Sequence, residues 1–272
     1  MRSPFFCAYF CTMDLTYIQT SVVDNIGYIV LDRPEKRNAL NQDFVTELKW
    51  AFTSLETNDS CKVIILKSSD VAFCAGADLG YLQQLQKNSF QENVDDSTHL
   101  MELYAQIYSM EKVVISMVAG PAIAGGCGLA TITDYCFAAD SAKFGYSETK
   151  IGFVPAIVMV FLIRKIGEAK AREILLSGDI FSAETAKQLN LINFVIPDEQ
   201  LEESTIDFAQ KLISKTSMQS RALVKKMMAE IPEKTLKDAL DYAAKKNAEM
   251  RESADCKRGI AAFLNKEKIK WD

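Results

Sequence analysis

The stretch 113-VVISMVAGPAIAGGCGLATITDYCFAADSAKFGYSETKIGFVP-155 decides how this chain is read. It opens on an apolar run, 113–118, that reads as a buried strand. A turn follows at Ala119-Gly120-Pro121, and then a run of small residues, Ala124-Gly125-Gly126-Cys127-Gly128, leads into the apolar-periodic LATITDY. Paired glycines just before a helix let the backbone approach a ligand closely. The first N–H groups of a helix have no intrahelical acceptor. Together with the positive end of the helix dipole, they suit a developing negative charge. Further along lies Glu148, within Tyr146-Ser147-Glu148-Thr149-Lys150. An anion-stabilising turn and one carboxylate are the minimum equipment for proton chemistry beside a carbonyl.

Outward from this stretch, the 272-residue chain is long enough for one large domain or a core with an appendage. Its 49% hydrophobic and 25% charged residues are ordinary for a soluble globular protein. A net charge of −5 weighs against a nucleic-acid surface. The seven cysteines are scattered, odd in number and form no CxxC pair. They read as free thiols in a reducing compartment, and the expected location is cytoplasmic. His99 is the only histidine, so His triads and His-rich metal sites have little to work with, and no metal site is expected. Residues 1–13, MRSPFFCAYFCTM, read as a disordered extension before a second possible start at Met13. No run approaches the ~20 apolar residues that would cross a membrane.

In chain order, residues 17–21 and 26–31 predict two strands joined by a turn at Asp24-Asn25-Gly27. A loop with three basic residues, Arg33, Lys36 and Arg37, precedes a helix over 42–57. The next strand, 62–67, runs into 72-AFCAGADL-79, where Asp78 is placed to cap a helix. The polar segment 83–98 is expected to cover the site as a mobile helix or loop, with a helix over about 99–110 beyond it. After Pro155 the periodicity predicts helices over 157–165, 169–177 and 182–189, then a short strand over 191–196. Four more helices follow, near 201–215, 219–230, 235–252 and 254–264. Strands alternating with helices, then a helical tail, indicate an α/β core over 14–200 and a helical C-terminal part over 201–272.

Two segments together, 72-AFCAGADL-79 and 119-AGPAIAGGCGLA-130, resemble the signature segments of the crotonase (enoyl-CoA hydratase/isomerase) superfamily. The resemblance continues through Thr133-Asp134, Ala138-Ala139, Ala142-Lys143-Phe144 and Glu148, and covers about residues 14–272. It implies a crotonase-like spiral of ββα turns with a C-terminal helical trimerisation region, and hence a homotrimer or dimer of trimers. It also implies an acyl-CoA thioester substrate, with coenzyme A as part of the substrate and no separate cofactor. By motif, the thioester oxygen would be held by the N–H groups of Ala77 and Gly125, with Glu148 as acid and base. CoA and acyl contacts would fall on Arg33, Lys36, Arg37, Ala39, Ala75, Asp78, Leu79, Gly128 and Pro155, and Lys266, Lys268 and Lys270 are further candidates for the phosphates. Taken alone, the Arg33–Arg37 loop reads as a solvated charged turn.

The chain departs from the family at two places, Gly128 and Phe153-Val154-Pro155-Ala156-Ile157-Val158, where common straight-chain hydratases of the family are glycine-rich just after the proline. Two-carboxylate hydratases of the family carry a Glu where this chain has Gly128. A glycine there predicts open space above it and a larger acyl pocket, or else a packing requirement. With Ser147-Glu148 and Pro155-Ala156-Ile157, the pattern is similar to hydratases of branched glutaconyl-type thioesters such as 3-methylglutaconyl-CoA hydratase. A glutaconyl carboxylate would need a partner, with Lys150, Ser147 and Tyr146 as candidates. One Glu can serve water addition or double-bond migration, so a hydratase and an enoyl-CoA isomerase both follow. A catalytically weak homologue that binds acyl-CoA or RNA is the reading of another class. Cys74, Cys127 and His99 are expected to be structural, Tyr135 and Tyr146 core or pocket, and Asp134 a hydrogen-bond anchor.

Overall fold

A computed structural model describes residues 13–271; apart from Met13, the expected N-terminal extension lies outside the described residues. The chain opens with β1 (Ile18–Val23) and β2 (Ile26–Leu31), antiparallel across a two-residue turn. Asp24 and Asn25 both take positive φ, 49° and 65°, as a hairpin turn that follows the strand twist requires. Helix α1 (Gln42–Thr57) is capped by the Asn41 side chain and buries Phe44, Leu48, Phe52 and Leu55 on one face. Then come β3 (Val63–Ser68), α2 (Leu79–Leu85), α3 (Phe90–Ser109), β4 (Val113–Val118), β5 (Ala122–Ile123) and α4 (Gly125–Thr131). The chain continues through β6 (Tyr135–Ala139), β7 (Lys143–Gly145), α5 (Ala156–Ser177), β8 (Ile180–Ser182), α6 (Ala183–Gln188) and β9 (Phe194–Ile196). It closes with α7 (Leu201–Lys215), α8 (Met218–Glu230), α9 (Leu236–Glu252) and α10 (Ala254–Leu264).

The strands form a six-stranded sheet in the order β1-β2-β3-β4-β6-β9 and a small sheet β5-β7-β8. From β2 onward every pairing in the large sheet is parallel. Parallel strands are covered on both faces, which is why VIIL in β3 and VVISMV in β4 read as continuous apolar runs. Isolated parallel bridges, Leu40 with Ala77 and Cys74 with Ala122, extend the small sheet's pattern toward the N-terminus. Each turn of the chain therefore makes a strand in the large sheet, a short extended contact in the second layer, and a helix. The sequences β2–Leu40–α1, β4–β5–α4 and β6–β7–α5 are three such turns, and they form the expected ββα spiral.

One expectation about elements is corrected. The polar segment before His99 is not a loose cover: α3 starts at Phe90 behind a complete Ser89/Glu92 capping box, and Tyr81 Oη on α2 donates to Asp96 Oδ1 on α3. The helices expected over 157–165 and 169–177 are the two halves of α5, separated at Gly167, whose φ of 77° and ψ of 162° are not helical. Helix α7 lies on β3, β4 and β6 and buries Leu201, Thr205, Ala209 and Ile213. In contrast, α9 buries none of its residues.

Candidate active site

The loop over 33–40 is zipped to the segment over 75–78. Arg37 O accepts from Ala75 N–H (3.0 Å), Gly76 O accepts from Leu40 N–H (2.7 Å), and Leu40 O accepts from Asp78 N–H (2.9 Å). The last two are the bonds of one parallel bridge, so the N–H of Ala77 points to the other side, away from Leu40. Ala77 is exposed there. Gly76, at φ 90°, brings the turn against the small-residue segment. A Cβ on it would lie 2.8 Å from Ala124 Cβ, 2.9 Å from Ile123 O and 3.6 Å from Gly125 N. Gly125 is half-buried and begins α4, so its N–H has no intrahelical acceptor. The fold thus brings together two turns that are far apart in sequence, and each presents a backbone donor.

Glu148 opens a 3-10 turn after β7 and is 8% exposed. Its Oε2 has no hydrogen-bond partner among the described residues. Burial pushes its carboxyl above the ordinary range, only partly offset by its own backbone N–H. Glu148 does not pair with the nearby Lys150, whose Nζ lies 3.0 Å from Asp179 Oδ1. Glu148 lies within electrostatic reach of the buried side chains of Tyr104 and Cys127. A buried carboxylate oxygen without a donor is costly unless something else uses it. Burial pushes the Cys74 and Cys127 thiols up to about 12, which leaves them protonated packing groups.

The expectation of open space above Gly128 is corrected. A Cβ on Gly128 would lie 2.2 Å from Val158 Cγ1 and 3.2 Å from Tyr104 Cε1. The room left by the missing side chain is filled by Val158 on α5 and the Tyr104 ring, so the packing alternative is the one observed. Pro155 is buried and precedes the first residue of α5, the helix that delivers Val158. A cavity of about 750 Å³ does begin beside this contact, walled by Tyr104, Gly128, Val158 and Phe161, and runs toward Lys165 and Arg221. Two of the three expected partners of an acyl carboxylate are otherwise engaged, while Ser147 is half-buried. Lys150 is paired with Asp179, and Tyr146 is buried with its hydroxyl 3.0 Å from Thr131 Oγ1. The cations that line the cavity are on α5 and α8 instead.

The basic loop divides. Arg33, expected at the CoA phosphates, is 7% exposed and faces inward. It donates to Asp78 Oδ2 (2.9 Å) and Ala39 O (2.8 Å), and it lies over the Tyr17 ring. Lys36 and Arg37 are exposed. Asp78 caps α2 through Gly80 N–H and Tyr81 N–H. Burial alone would raise its carboxyl, but those N–H groups, Arg33 and Lys36 outweigh it and hold it below the ordinary range. Ala39 is buried, Ala75 half-buried and Leu79 exposed, all beside the same zipper; Lys266, Lys268 and Lys270 are exposed at the tail.

Over residues 22–272 the chain matches the family model described as enoyl-CoA hydratase/isomerase. The chain belongs to the enoyl-CoA hydratase/isomerase family. Among relatives of this family, it is 33% identical over 249 residues to a mitochondrial enoyl-CoA hydratase of Pongo abelii, covering 91% of this chain and 84% of that one. It is 31% identical over 250 residues to a crotonyl-CoA hydratase of Syntrophomonas wolfei, covering 91% and 95%. The crystal structure of an enoyl-CoA hydratase from Shewanella pealeana superposes with a TM-score of 0.88 at 28% identity, covering 94% of this chain and 96% of that one. The enzyme class and the crotonase fold expected from the motifs therefore stand.

Two residues at this family site escape sequence reading. Asn38 is fully buried in a left-handed conformation (φ 55°). It accepts from Arg33 N–H and donates to Ser68 Oγ, Ala72 O and Phe73 O, which fixes the zipper. An Asn inside a basic turn is a weak signal of this. Tyr104 is 1% exposed and donates to Gly125 O at 2.6 Å. It lies within a helix whose first half is polar, and nothing in its neighbours marks it.

Proposed function

We propose that the protein adds water to a 2-enoyl-CoA thioester, with Ala77 and Gly125 N–H holding the thioester oxygen and Glu148 as the single acid/base. The observation that carries this reading is Glu148: buried, raised by burial, with an unpartnered oxygen, and within electrostatic reach of Tyr104, whose hydroxyl donates to Gly125 O. A carboxyl raised toward neutrality is better matched to proton transfer at working pH. As a water oxygen bonds to C3, its proton passes to Glu148 and the C2=C3 electrons move onto the thioester oxygen, which becomes an enolate oxygen. Collapse of the enolate takes that proton from Glu148 to C2. Both additions then occur on one face of the double bond. The names of the relatives, enoyl-CoA and crotonyl-CoA hydratases, support this class. The lone carboxylate favours one second reading, an isomerase in which Glu148 carries a proton between C2 and C4.

The acyl group proposed is the branched glutaconyl type. Its support is the cavity beside Gly128, whose wall carries Lys165 and Arg221; Lys165 donates to Thr131 O and Thr133 O and Arg221 to Leu212 O and Thr216 Oγ1, so a distal carboxylate would share or displace those bonds. Lys36 and Arg37 are proposed for the CoA phosphates, with coenzyme A as part of the substrate and no separate cofactor. The free, scattered cysteines support the cytoplasm as the compartment. The exposed apolar side chains of α9 and α10 support a homotrimer or dimer of trimers. The test is a panel of crotonyl-CoA, 3-methylglutaconyl-CoA and a 3-enoyl-CoA, followed by loss of the enone absorbance or double-bond migration. Glu148→Gln is expected to lower kcat at least 100-fold, in the ~10²–10⁴ range of positioned acid–base groups, while acyl-CoA still binds. Activity within about tenfold of wild type would exclude Glu148 as the base.

A further inference from the structure

Resting on the reading that Gly125 N–H is an oxyanion donor, we infer that Tyr104 is a positioning residue that locks this donor in place. The Gly125 N–H is carried by the peptide between Ala124 and Gly125. Ala124 has φ 54° and ψ −127°, a backbone conformation that residues with a Cβ rarely adopt. Such a conformation persists only where the surroundings over-determine it. On the N-terminal side, Ala124 N–H donates to Gly145 O at 2.7 Å, which ties it to β7. On the C-terminal side come two glycines, Gly125 and Gly126, which by themselves hold no orientation.

Tyr104 supplies the second hold. Its hydroxyl donates to Gly125 O at 2.6 Å and would sit 3.5 Å from a Cβ on Gly125. The ring is fixed in turn: it covers Gly128 and stacks on Phe161 with centroids 6.4 Å apart and planes at 23°. Burial, with Cys74 and Glu148 nearby, pushes the phenol well above its ordinary value, so it remains a donor at any working pH. The Ala124–Gly125 unit is thus clamped from β7 on one side and from α3 on the other. An oxyanion donor acts through preorganisation, so loosening one clamp weakens transition-state binding more than ground-state binding.

The experiment compares Tyr104→Phe with wild type using an enoyl-CoA carrying 13C at the thioester carbonyl. The variant keeps the ring over Gly128 and loses only the hydroxyl. The expected result is a kcat about tenfold or more lower with KM within about twofold, against the ~10²–10³-fold cost of deleting a donor outright. The downfield shift of the bound carbonyl should shrink, and the acid limb of the pH profile should stay in place. Adding Ala124→Gly relieves the strained residue and so offsets lost stability, yet should lower kcat further, because a glycine frees the backbone at the peptide that carries the donor and leaves only the bond from its N–H to Gly145 O to hold it. A full carbonyl shift and near-wild-type kcat in Tyr104→Phe would overturn the role of Tyr104 alone. Recovery of kcat in the double variant would overturn it as well, assigning the hydroxyl to stability. No carbonyl shift in the wild type would overturn the oxyanion-hole reading itself, and the role of Tyr104 with it.

Discussion

Glu148 sets the terms at the residue scale. Its carboxyl is raised by burial, so the native state keeps the proton to higher pH than the unfolded chain does. Stability therefore falls as pH rises from the ordinary carboxylate range through the raised value, and beyond it the buried charge is a constant cost. Glu148→Gln removes that cost. Its melting temperature at pH 7 should exceed wild type, and the gain should vanish below about pH 4, where the carboxyl is protonated in both states. Calorimetry across pH checks this; a gain that persists unchanged in acid would rule out burial of charge as its cause. In the wild type the acid limb of kcat/KM should sit above the usual carboxylate range, since the base must be ionised to act.

At the scale of elements, the zipper between 33–40 and 75–78 separates two kinds of basic residue. Arg33 and Asp78 form a buried pair, each less than a tenth exposed. Arg33→Met strands the carboxylate and should cost about 3 kcal/mol of stability, read as a lower denaturant midpoint. Lys36→Ala with Arg37→Ala touches exposed side chains and should leave that midpoint within error. It should instead raise KM for acyl-CoA and flatten the dependence of KM on salt, because screening acts on exposed charge. A KM change in Arg33→Met with unchanged stability would reverse this assignment. The basic loop looked uniform in sequence because charge pattern does not say which side chain turns inward; Asn38 and the Leu40 bridge decide that.

At the scale of the molecule, the helical tail carries exposed apolar side chains. Leu236, Ile260, Phe263 and Leu264 are 78%, 54%, 83% and 72% exposed, on helices that bury almost nothing against their own chain. An exposed apolar surface of this kind marks an association site. Light scattering at micromolar concentration should give three or six times the mass of one chain. Leu240→Glu with Phe263→Glu should shift it toward the monomer without unfolding the sheet. A monomeric wild type would refute the assembly.

The sequence alone determined the elements whose cause is local. Helix α1, strand β4 and helices α7 and α10 fall where periodicity placed them, because burial on one face imposes a 3.6-residue or continuous apolar pattern. It also determined the family, since two glycine-bearing turns at a fixed separation are a backbone requirement legible in residue type. What lay in contacts between distant segments was not legible. Gly128 read as open space, but the space belongs to Val158, 30 residues on in a different helix. Arg33 read as a ligand for phosphate and is held by Asp78, and Tyr104 gave no sign of reaching Gly125. Only the tertiary structure decided these, because a side chain's role depends on which atoms meet it, and the spiral brings those atoms from turns far apart in the chain.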